Sequence, residues 1–456
     1  MTPLSLPDGR VVVPDNRWDL LDGWDHVGAG KPSVSVVVPY YNQPRQLALV
    51  LAALALQTYP RDLLDVVVAD DGSDEPPDVE RWDSELDVTV VRQDDLGFRA
   101  AAARNLGARA SRGSILCFLD ADTVPALDYV ENAAEMPGIL PDAVVVGRRG
   151  HANLSTVTEP NIGTWLAQRS TRDTTEPRWL VDAYEGTSDL LEPGWDGYKY
   201  ILSAVLTCTR ELFDAVGGFD ESFTRYGGED WEFANRAFMM GAVFAYRPAA
   251  LAWHDGPDWA QRSVPDRTDG KNAEALALAP LVTDPRARSS GLHYRVPDHV
   301  VMISTEGHTP ASLTITVASM IRGNDSAVWF VGDDTVTREL GVCDSRIRSG
   351  QPDASILTRC RFVVEVTGRV VAAEHSLSAL AHDIGPGQAG GVVVEFDYPA
   401  ASLTMWSSRA LHRARRWAAP LEMSEDRARE KLFGVLRRRA DEVGLTGMTD
   451  EPWLSW

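Results

Sequence analysis

Acidic side chains recur in this sequence at points where an apolar run ends. Asp120 and Asp122 form a D-x-D triplet directly after "ILCFL", and Asp71 lies in "ADDGS" directly after "DVVV". Two carboxylates at a strand terminus can serve one hard cation and a nearby ribose, because oxygen ligands suit Mg²⁺ or Mn²⁺ and these ions also take substrate phosphates. An isolated D-x-D triplet also arises by chance on acidic surfaces, and "ADDGS" alone fits an ordinary turn equally well.

Two further motifs come later in the chain. The segment "GGEDWEF" (227–233) joins two glycines to Glu229 and Asp230 at the predicted start of a helix, where one carboxylate could accept the proton of an attacking hydroxyl. Acids in a first helical turn also act simply as caps for the helix dipole. His254, in "WHDG", could complete a metal site, since neutral imidazole binds Mn²⁺, although a lone histidine is more often structural.

The elements that must position these motifs alternate between strands and helices. "SVSVVVPYYN", "DVVVADDGS" and "SILCFLDAD" read as buried strands, and "PRQLALVLAALALQTYP" and "GFRAAAARNLGARASRG" have helical spacing. This alternation predicts an α/β fold with a mainly parallel, doubly wound sheet. Ligands bind beyond the carboxyl ends of the strands in such sheets, and the acidic motifs fall at those ends.

Length, charge and cysteine content exclude several classes of protein. A chain of 456 residues suits two or three domains. The net charge of −22 argues against nucleic acid as a partner, and the four scattered cysteines suggest neither a zinc site nor a disulfide framework. Without a secretory leader or an apolar run of about 18 residues, the sequence predicts a cytoplasmic protein with no integral membrane segment.

Taken in order, the motifs resemble those of the inverting glycosyltransferases of family 2, which have the GT-A (Rossmann-like) fold. The matching blocks include "VSVVVPYYNQ", "VVVADDGSD", "CFLDADTVP" and "GGFDESFTRYGGEDWEF", and they extend from about Ser33 to Asp255. The "GGED" segment is also similar to that of polypeptide N-acetylgalactosaminyltransferases, which are retaining. The resemblance implies a nucleotide-sugar donor, with a UDP-sugar favoured, an unknown hydroxyl-bearing acceptor (a glycan, peptide or natural product) and Mn²⁺ or Mg²⁺ as cofactor.

The same resemblance implies a role for each motif residue. The implied donor contacts are Pro39, Tyr41, Asp71, Arg99 or Arg104, Asp120 and Ala121. The implied metal ligands are Asp122 and His254, and the implied base is Asp230 with Glu229 alongside. The acceptor candidates are Trp195, Tyr198, Gly228 and Trp231, whereas Trp179 is interpreted as a core residue.

The chain beyond Val296 repeats the pattern of the first part. "PASLTITVASMI" aligns with "PRQLALVLAALA", and "VWFVGDD", which contains Asp333 and Asp334, aligns with "VVVADD". Further on, "VAAEHSLSALA" aligns with "VPALDYVENAA", and in this last alignment Thr367 and Arg369 stand opposite Asp120 and Asp122. Arginine offers only donors and a positive charge. No "GGED" follows, so the sequence predicts a degenerate GT-A-like domain without a donor site, used for packing, for a possible homodimer or for acceptor binding.

These patterns predict five segments. They are an N-terminal extension (1–30), a catalytic domain (31–265), a linker (266–295), a degenerate domain (296–420) and a helical tail (421–456). A retaining transferase on the same fold and a non-catalytic protein that binds sugar nucleotides stay open as alternatives. Two active transferase domains are disfavoured.

Overall fold

A computed structural model describes residues 2–21, 30–82, 84–168, 175–256, 264–288, 291–332, 335–397 and 401–455. Asp333 and Asp334 lie outside these residues. The chain divides into two compact units: the N-terminal unit comprises Thr2–Phe238 and Ala242–Leu278, and the C-terminal unit comprises Ala279–Trp456 with Met239–Gly241. Within the described ranges, every helix is too short or too polar to cross a membrane.

The N-terminal unit alternates strands with helices, as the sequence predicts. Its strands are β1 (Leu4–Ser5), β2 (Val11–Val12), β3 (Val34–Tyr40), β4 (Leu64–Asp70), β5 (Asp87–Arg92), β6 (Ile115–Leu119), β7 (Thr123–Pro125), β8 (Ala143–Ala152), β9 (Val205–Thr209) and β10 (Val243–Asp255). Its helices are α1 (Pro44–Ala55), α2 (Ala100–Ala110), α3 (Tyr129–Ile139), α4 (Ile162–Gln168), α5 (Arg178–Gly186), α6 (Arg210–Val216), α7 (Glu229–Met239) and α8 (Val264–Leu278).

Eight of these strands form one mixed sheet in the order β5-β4-β3-β6-β9-β8-β10-β7. The strands from β5 to β6 are parallel, whereas β9 runs antiparallel to both β6 and β8. Strands β3, β4 and β6 are almost entirely buried, which explains their continuous apolar sequences. Because these parallel strands end at one edge, the residues that follow them are brought together there.

The C-terminal unit has its own sheet. Its strands are β11 (His299–Ser304), β12 (Ser326–Val331), β13 (Ile347–Ser349), β14 (Phe362–Thr367), β15 (Val370–Ala372), β16 (Gly391–Glu395), β17 (Ser402–Ser407), β18 (Val435–Arg439) and β19 (Leu445–Gly447). Its helices are α9 (Pro310–Ile321), α10 (Thr335–Arg338), α11 (Ala354–Leu357), α12 (Ser376–His382), α13 (Ser408–Trp417) and α14 (Glu425–Phe433).

Seven strands of the C-terminal unit follow the order β13-β12-β11-β14-β17-β16-β18. This is the order of β5-β4-β3-β6-β9-β8-β10 in the first unit, strand for strand. The directions agree as well, since β17 is antiparallel to β14 and β16, and β18 is parallel to β16. The internal repeat seen in the sequence therefore corresponds to a repeated sheet topology.

Three predicted segments differ from the structure. The N-terminal extension packs within the first unit, where the buried Asn16 side chain bonds the backbone N–H and C=O of Phe244 at 2.8 and 2.9 Å. Part of the predicted linker belongs to α8, which is assigned to the N-terminal unit. The prediction of a helical tail is wrong beyond α14, because β18 completes the second sheet and β19 pairs with β15.

Candidate active site

The motif residues of the N-terminal unit surround one cleft of about 1300 Å³. Twelve of the predicted site residues line it: Pro39, Tyr41, Asp71, Arg104, Asp120, Ala121, Asp122, Gly228, Glu229, Asp230, Trp231 and His254. Arg104 lies on α2, and the others lie at or just after the ends of β3, β4 and β6, at the start of α7 or near the end of β10. The shared edge of the sheet therefore collects motifs that lie far apart in the sequence.

At one side of the cleft, Asp71 follows β4 in a tight turn. Gly72 has φ +83°, and a Cβ there would lie 2.3 Å from the backbone nitrogen of Asp95, so the turn requires glycine. The Asp71 carboxylate accepts from Gln93 Nε2 at 2.5 Å and from the Arg99 backbone N–H at 2.9 Å. Burial raises its pKa in spite of these bonds. The carboxylate is therefore held in a fixed orientation towards the cleft.

Arg99 and Arg104 lie differently in the structure. Arg99 serves Asp71 through its backbone and is not among the residues lining the cleft. The buried Arg104, on α2, bonds Asp120 Oδ1 at 2.9 Å and Glu229 Oε1 at 3.2 Å. Burial opposes the charge of Arg104, but these two carboxylates outweigh it and raise its pKa. Arg104 thus joins the D-x-D segment to the start of α7.

The second acid of the triplet lies against the predicted histidine. Asp122 Oδ1 is 3.2 Å from His254 Nδ1, and the backbone N–H of Asp255 donates to the Asp122 carbonyl at 2.8 Å. This proximity follows from β7, which pairs antiparallel with the end of β10 and sets Thr123 opposite His254. Burial opposes ionisation of Asp122, but the contact with His254 prevails and lowers its pKa.

The acidic pair of "GGED" begins α7. Gly227 and Gly228 have φ +95° and +96°, a backbone conformation that favours glycine. Asp230 is partly exposed to the cleft, and its Oδ1 accepts from the Trp231 backbone N–H at 2.9 Å. Burial, followed by the neighbouring Glu229 carboxylate, raises the pKa of Asp230 to about 7. Such a carboxyl group is suited to exchange a proton near neutral pH.

Only some of the predicted acceptor-binding residues line the cleft. Gly228 and Trp231 line the cleft, whereas Trp195 is not among its lining residues. Tyr198 is 1% exposed and packs in the core, so the prediction that it contacts the acceptor is wrong. Trp179, interpreted from the sequence as core, is 50% exposed and lines the cleft.

Sequence reasoning missed three charged residues of the cleft. Arg149, on β8, helps to lower the pKa of Asp122. On α8, Lys271 pairs with Glu274 at 2.8 Å and lies 4.9 Å from the centre of the Trp231 ring. The helical spacing of Lys271 and Glu274 could have indicated an ion pair, but nothing local in the sequence places it beside α7.

Comparisons with known proteins concern the family that the N-terminal part of the chain resembles. Residues 35–187 match the model of glycosyl transferase family 2, and residues 194–250 match that described as the N-terminal domain of galactosyltransferase. The predicted resemblance to glycosyltransferase family 2 is confirmed for residues 35–187. With this match, the mixed α/β sheet of the N-terminal unit is assigned to the GT-A class.

Several curated proteins are similar over about half of this chain. Chondroitin synthase of Escherichia coli is 29% identical over 266 residues, covering 54% of this chain and 38% of that protein. Validoxylamine A glucosyltransferase of Streptomyces hygroscopicus subsp. jinggangensis is 32% identical over 264 residues, covering 54% and 59% respectively. The chain thus spans less than two thirds of either relative.

Solved structures are similar at a lower level. A mannosyltransferase from Pyrobaculum calidifontis in complex with GDP-Man and Mn²⁺ has a TM-score of 0.38 at 22% identity, covering 60% of this chain and 69% of that one. S. aureus TarS in complex with UDP-GlcNAc has a TM-score of 0.37 at 20% identity, covering 54% and 66% respectively.

Proposed function

We propose that this protein is a metal-dependent, inverting glycosyltransferase that moves a sugar from a UDP-sugar to an acceptor hydroxyl. The observation that carries the proposal is the meeting, in one cleft, of Asp71, the Asp122–His254 pair and Asp230 with its pKa of about 7. Each group suits a different part of the reaction: the nucleoside, the diphosphate and the acceptor. The family match supports the same conclusion.

In the proposed reaction Asp230 takes the proton of the acceptor hydroxyl. The hydroxyl oxygen attacks the anomeric carbon of the donor while the bond from that carbon to the diphosphate oxygen breaks. The sugar is now bonded to the acceptor oxygen with inverted configuration, and the nucleoside diphosphate leaves with the bonding electron pair. The proton stays on Asp230 until solvent removes it. Glu229, fixed by Arg104, raises the pKa of Asp230 and thereby makes it a better base.

Asp122 and His254 are the residues that would hold a divalent cation. One carboxylate and one imidazole oriented towards a cleft fit Mn²⁺ or Mg²⁺, because such ions usually complete their coordination with substrate phosphates and water. Among the described residues, no group of three or more His, Cys, Asp or Glu side chains is placed to hold a metal ion. When bound, the cation would offset the charge on the departing diphosphate.

A donor screen tests this proposal. The full chain should be incubated with UDP-sugars and Mn²⁺, and slow release of UDP without an acceptor should be followed together with thermal stability. We expect at least one UDP-sugar to raise the melting temperature with Mn²⁺ and to be hydrolysed, and both effects to disappear in Asp122→Ala. Binding without any UDP release would favour the non-catalytic alternative. The NMR spectrum of the anomeric centre in a transfer product separates inversion from retention.

A further inference from the structure

Arg149 is a cation of the cleft that the proposed reaction does not use. Of the described residues that line the cleft, two others carry a permanent positive charge, and carboxylates hold both: Arg104 at 2.9 and 3.2 Å, and Lys271 at 2.8 Å. In the described part of the chain no carboxylate pairs with Arg149, and its buried Nε has no hydrogen-bond partner. The guanidinium of Arg149 is therefore available to a ligand.

A partly buried arginine without an acceptor is an unfavourable arrangement. Taking a donor out of water without giving it a hydrogen bond costs free energy of folding, and native structures contain few such groups. The acidic residues of the cleft lower this cost through their field, but a field supplies no acceptor atom. An anionic ligand with acceptor oxygens would supply both the charge and the hydrogen bonds.

The strand register places Arg149 on the same face of the sheet as the proposed metal site. Strand β8 pairs in parallel with β10 and sets Arg149 opposite Ala252 and His151 opposite His254. Arg149 and His151 are two residues apart on one strand, so their side chains share a face. The rings of His151 and His254 lie 5.2 Å apart, which identifies that face as the one that holds His254.

Arg149 also acts on the acid of the proposed metal site. Burial opposes ionisation of Asp122, and after the contact with His254 the charge of Arg149 helps to lower its pKa. A guanidinium thus lies beside the place where Asp122 and His254 would hold a cation. Because such a cation takes phosphate oxygens as further ligands, the diphosphate of the donor belongs on this side of the cleft.

The chemistry of a guanidinium suits this diphosphate. Its parallel N–H groups match two phosphate oxygens, and it keeps its charge at any pH at which the protein is folded. The carboxylate of an anionic sugar offers similar oxygens. We favour the diphosphate because every UDP-sugar contains it and because Asp122 and His254 fix the place where it would bind.

We propose that Arg149 is a diphosphate-binding residue of the donor site, with its guanidinium on phosphate oxygens next to the cation. This inference rests on the proposed function. As the bond from the anomeric carbon to the diphosphate oxygen breaks, the diphosphate keeps the electron pair and gains one negative charge. Arg149 keeps its proton and stabilises this added charge, while proton transfer is left to Asp230.

Calorimetric titration of the full chain with UDP and Mn²⁺ tests the contact. UDP affinity should fall about tenfold or more in Arg149→Met and less in Arg149→Lys, because hydrogen bonds between charged groups are the strong ones. Uridine, which has no phosphate, should displace UDP with the same affinity in the parent and in Arg149→Met. An unchanged UDP affinity in Arg149→Met would overturn the proposal. An equal fall for UDP and uridine would overturn it too, since it would indicate a structural role.

Arg148→Met is the matched control. Arg148 precedes Arg149 on β8, bonds Glu176 Oε1 at 2.7 Å and is not among the residues that line the cleft. Its replacement should leave UDP affinity unchanged, with melting temperatures to verify folding. An equal loss of UDP affinity in Arg148→Met would contradict a specific contact at Arg149.

Two nucleotide sugars separate the two anions that Arg149 could bind. UDP-glucose and UDP-glucuronic acid share the diphosphate, but only the second has a carboxylate on its sugar. We expect Arg149→Met to weaken both by the same factor as UDP. A loss confined to UDP-glucuronic acid would assign Arg149 to the sugar and overturn the proposal. If the parent binds no UDP with Mn²⁺, the proposed function fails and this inference with it, whereas equal UDP binding by the parent and Arg149→Met refutes the inference alone.

Discussion

The two units of this protein share a sheet topology but differ at the ends of the corresponding strands. In each, four parallel strands are followed by an antiparallel strand and then by two more strands in the same spatial order, and the first sheet adds β7 as an eighth strand. In the first unit the strand ends supply the acids and the histidine of the cleft. The buried strands thus preserve the fold, whereas a few residues beyond them decide whether the fold has a donor site.

The differences can be stated position by position. Thr367 ends β14 and Arg369 follows it, whereas Asp120 and Asp122 both follow β6. The pairing of β15 with β19 sets Gly447 opposite Val370, in the place that His254 takes opposite Thr123.

The ion pairs differ in the same way. Where Asp122 contacts His254, Arg369 instead pairs with Glu451 at 3.0 Å. The proposed metal-binding pair of the first unit thus corresponds to a salt bridge in the second.

An acidic pair, without the two glycines of "GGED", also begins a helix of the second unit. Helix α14 begins with Glu425 and Asp426, and it precedes β18 as α7 precedes β10. The side chains of Glu425 and Asp426 are 51% and 80% exposed, and they pair with Arg415 and Arg429. The same two residue types therefore lack the burial that raises the pKa of Asp230.

The largest expected effect comes from removing the acids of the first unit. Asp122→Ala and Asp230→Asn should each lower kcat/KM by about a thousandfold or more, because one removes a cation ligand and the other the proposed base. Asp426→Asn, the matched change at the start of α14, should leave the rate unchanged. Initial rates of transfer, with melting temperatures to verify folding, measure all three. A rate near that of the parent in Asp230→Asn would remove the proposed base.

A smaller effect, on the free energy of unfolding, is expected from replacing two arginines that differ in burial. Arg104→Met leaves the carboxylates of Asp120 and Glu229 without their buried partner and should cost about 3–5 kcal/mol of unfolding free energy. Arg369→Met breaks a pair with the half-exposed Glu451 and should cost less than about 1 kcal/mol. Urea unfolding monitored by fluorescence compares the two. Equal losses would mean that burial does not distinguish these ion pairs.

The pH profile should depend on Asp230 alone. Because its pKa is raised to about 7 and the base must be unprotonated, kcat/KM should fall about tenfold per pH unit below 7 and level off above it. The effect of pH on folding stability through Asp230 has the opposite sign to its effect on kcat/KM. Between the ordinary value of 3.8 and about 7, only the unfolded chain releases this proton, so folding weakens as pH rises through that window.

Asp230→Asn removes the titrating group and serves as the control for the pH profile. The melting temperature of Asp230→Asn, relative to that of the parent, should therefore rise from pH 4 to pH 7. A parent rate that does not vary between pH 5 and 8 would contradict the role of Asp230.

The smallest expected effect on transfer is that of placing an aspartate at position 369 of the second unit. Arg369→Asp in an Asp122→Ala background restores a carboxylate at the equivalent strand end of the second unit, but Gly447 supplies no imidazole and Thr367 no second acid. Transfer should stay at the level of Asp122→Ala. Recovered activity would indicate that the second unit still contains a latent donor site.

Much of this comparison could be predicted from the sequence because it depends on local pattern. Apolar runs ending in acids located β4, β6 and their motifs, and the alignment of "VPALDYVENAA" with "VAAEHSLSALA" placed Arg369 opposite Asp122. The bridge made by Arg104 could not be predicted, because it depends on α2, β6 and α7 meeting in space. The burial of Tyr198 and the exposure of Trp179 could not be predicted either, because tertiary packing sets both. Strand β18 was missed because its sequence, "VLRRR", is too polar to predict a strand.

The central claim is that the first unit alone holds the donor site, and calorimetric titration of the full chain with UDP in the presence of Mn²⁺ tests it most directly. The account predicts one UDP per chain, no binding in Asp122→Ala, and unchanged binding in Arg369→Met. Two UDP molecules per chain, or binding that survives Asp122→Ala, would contradict it.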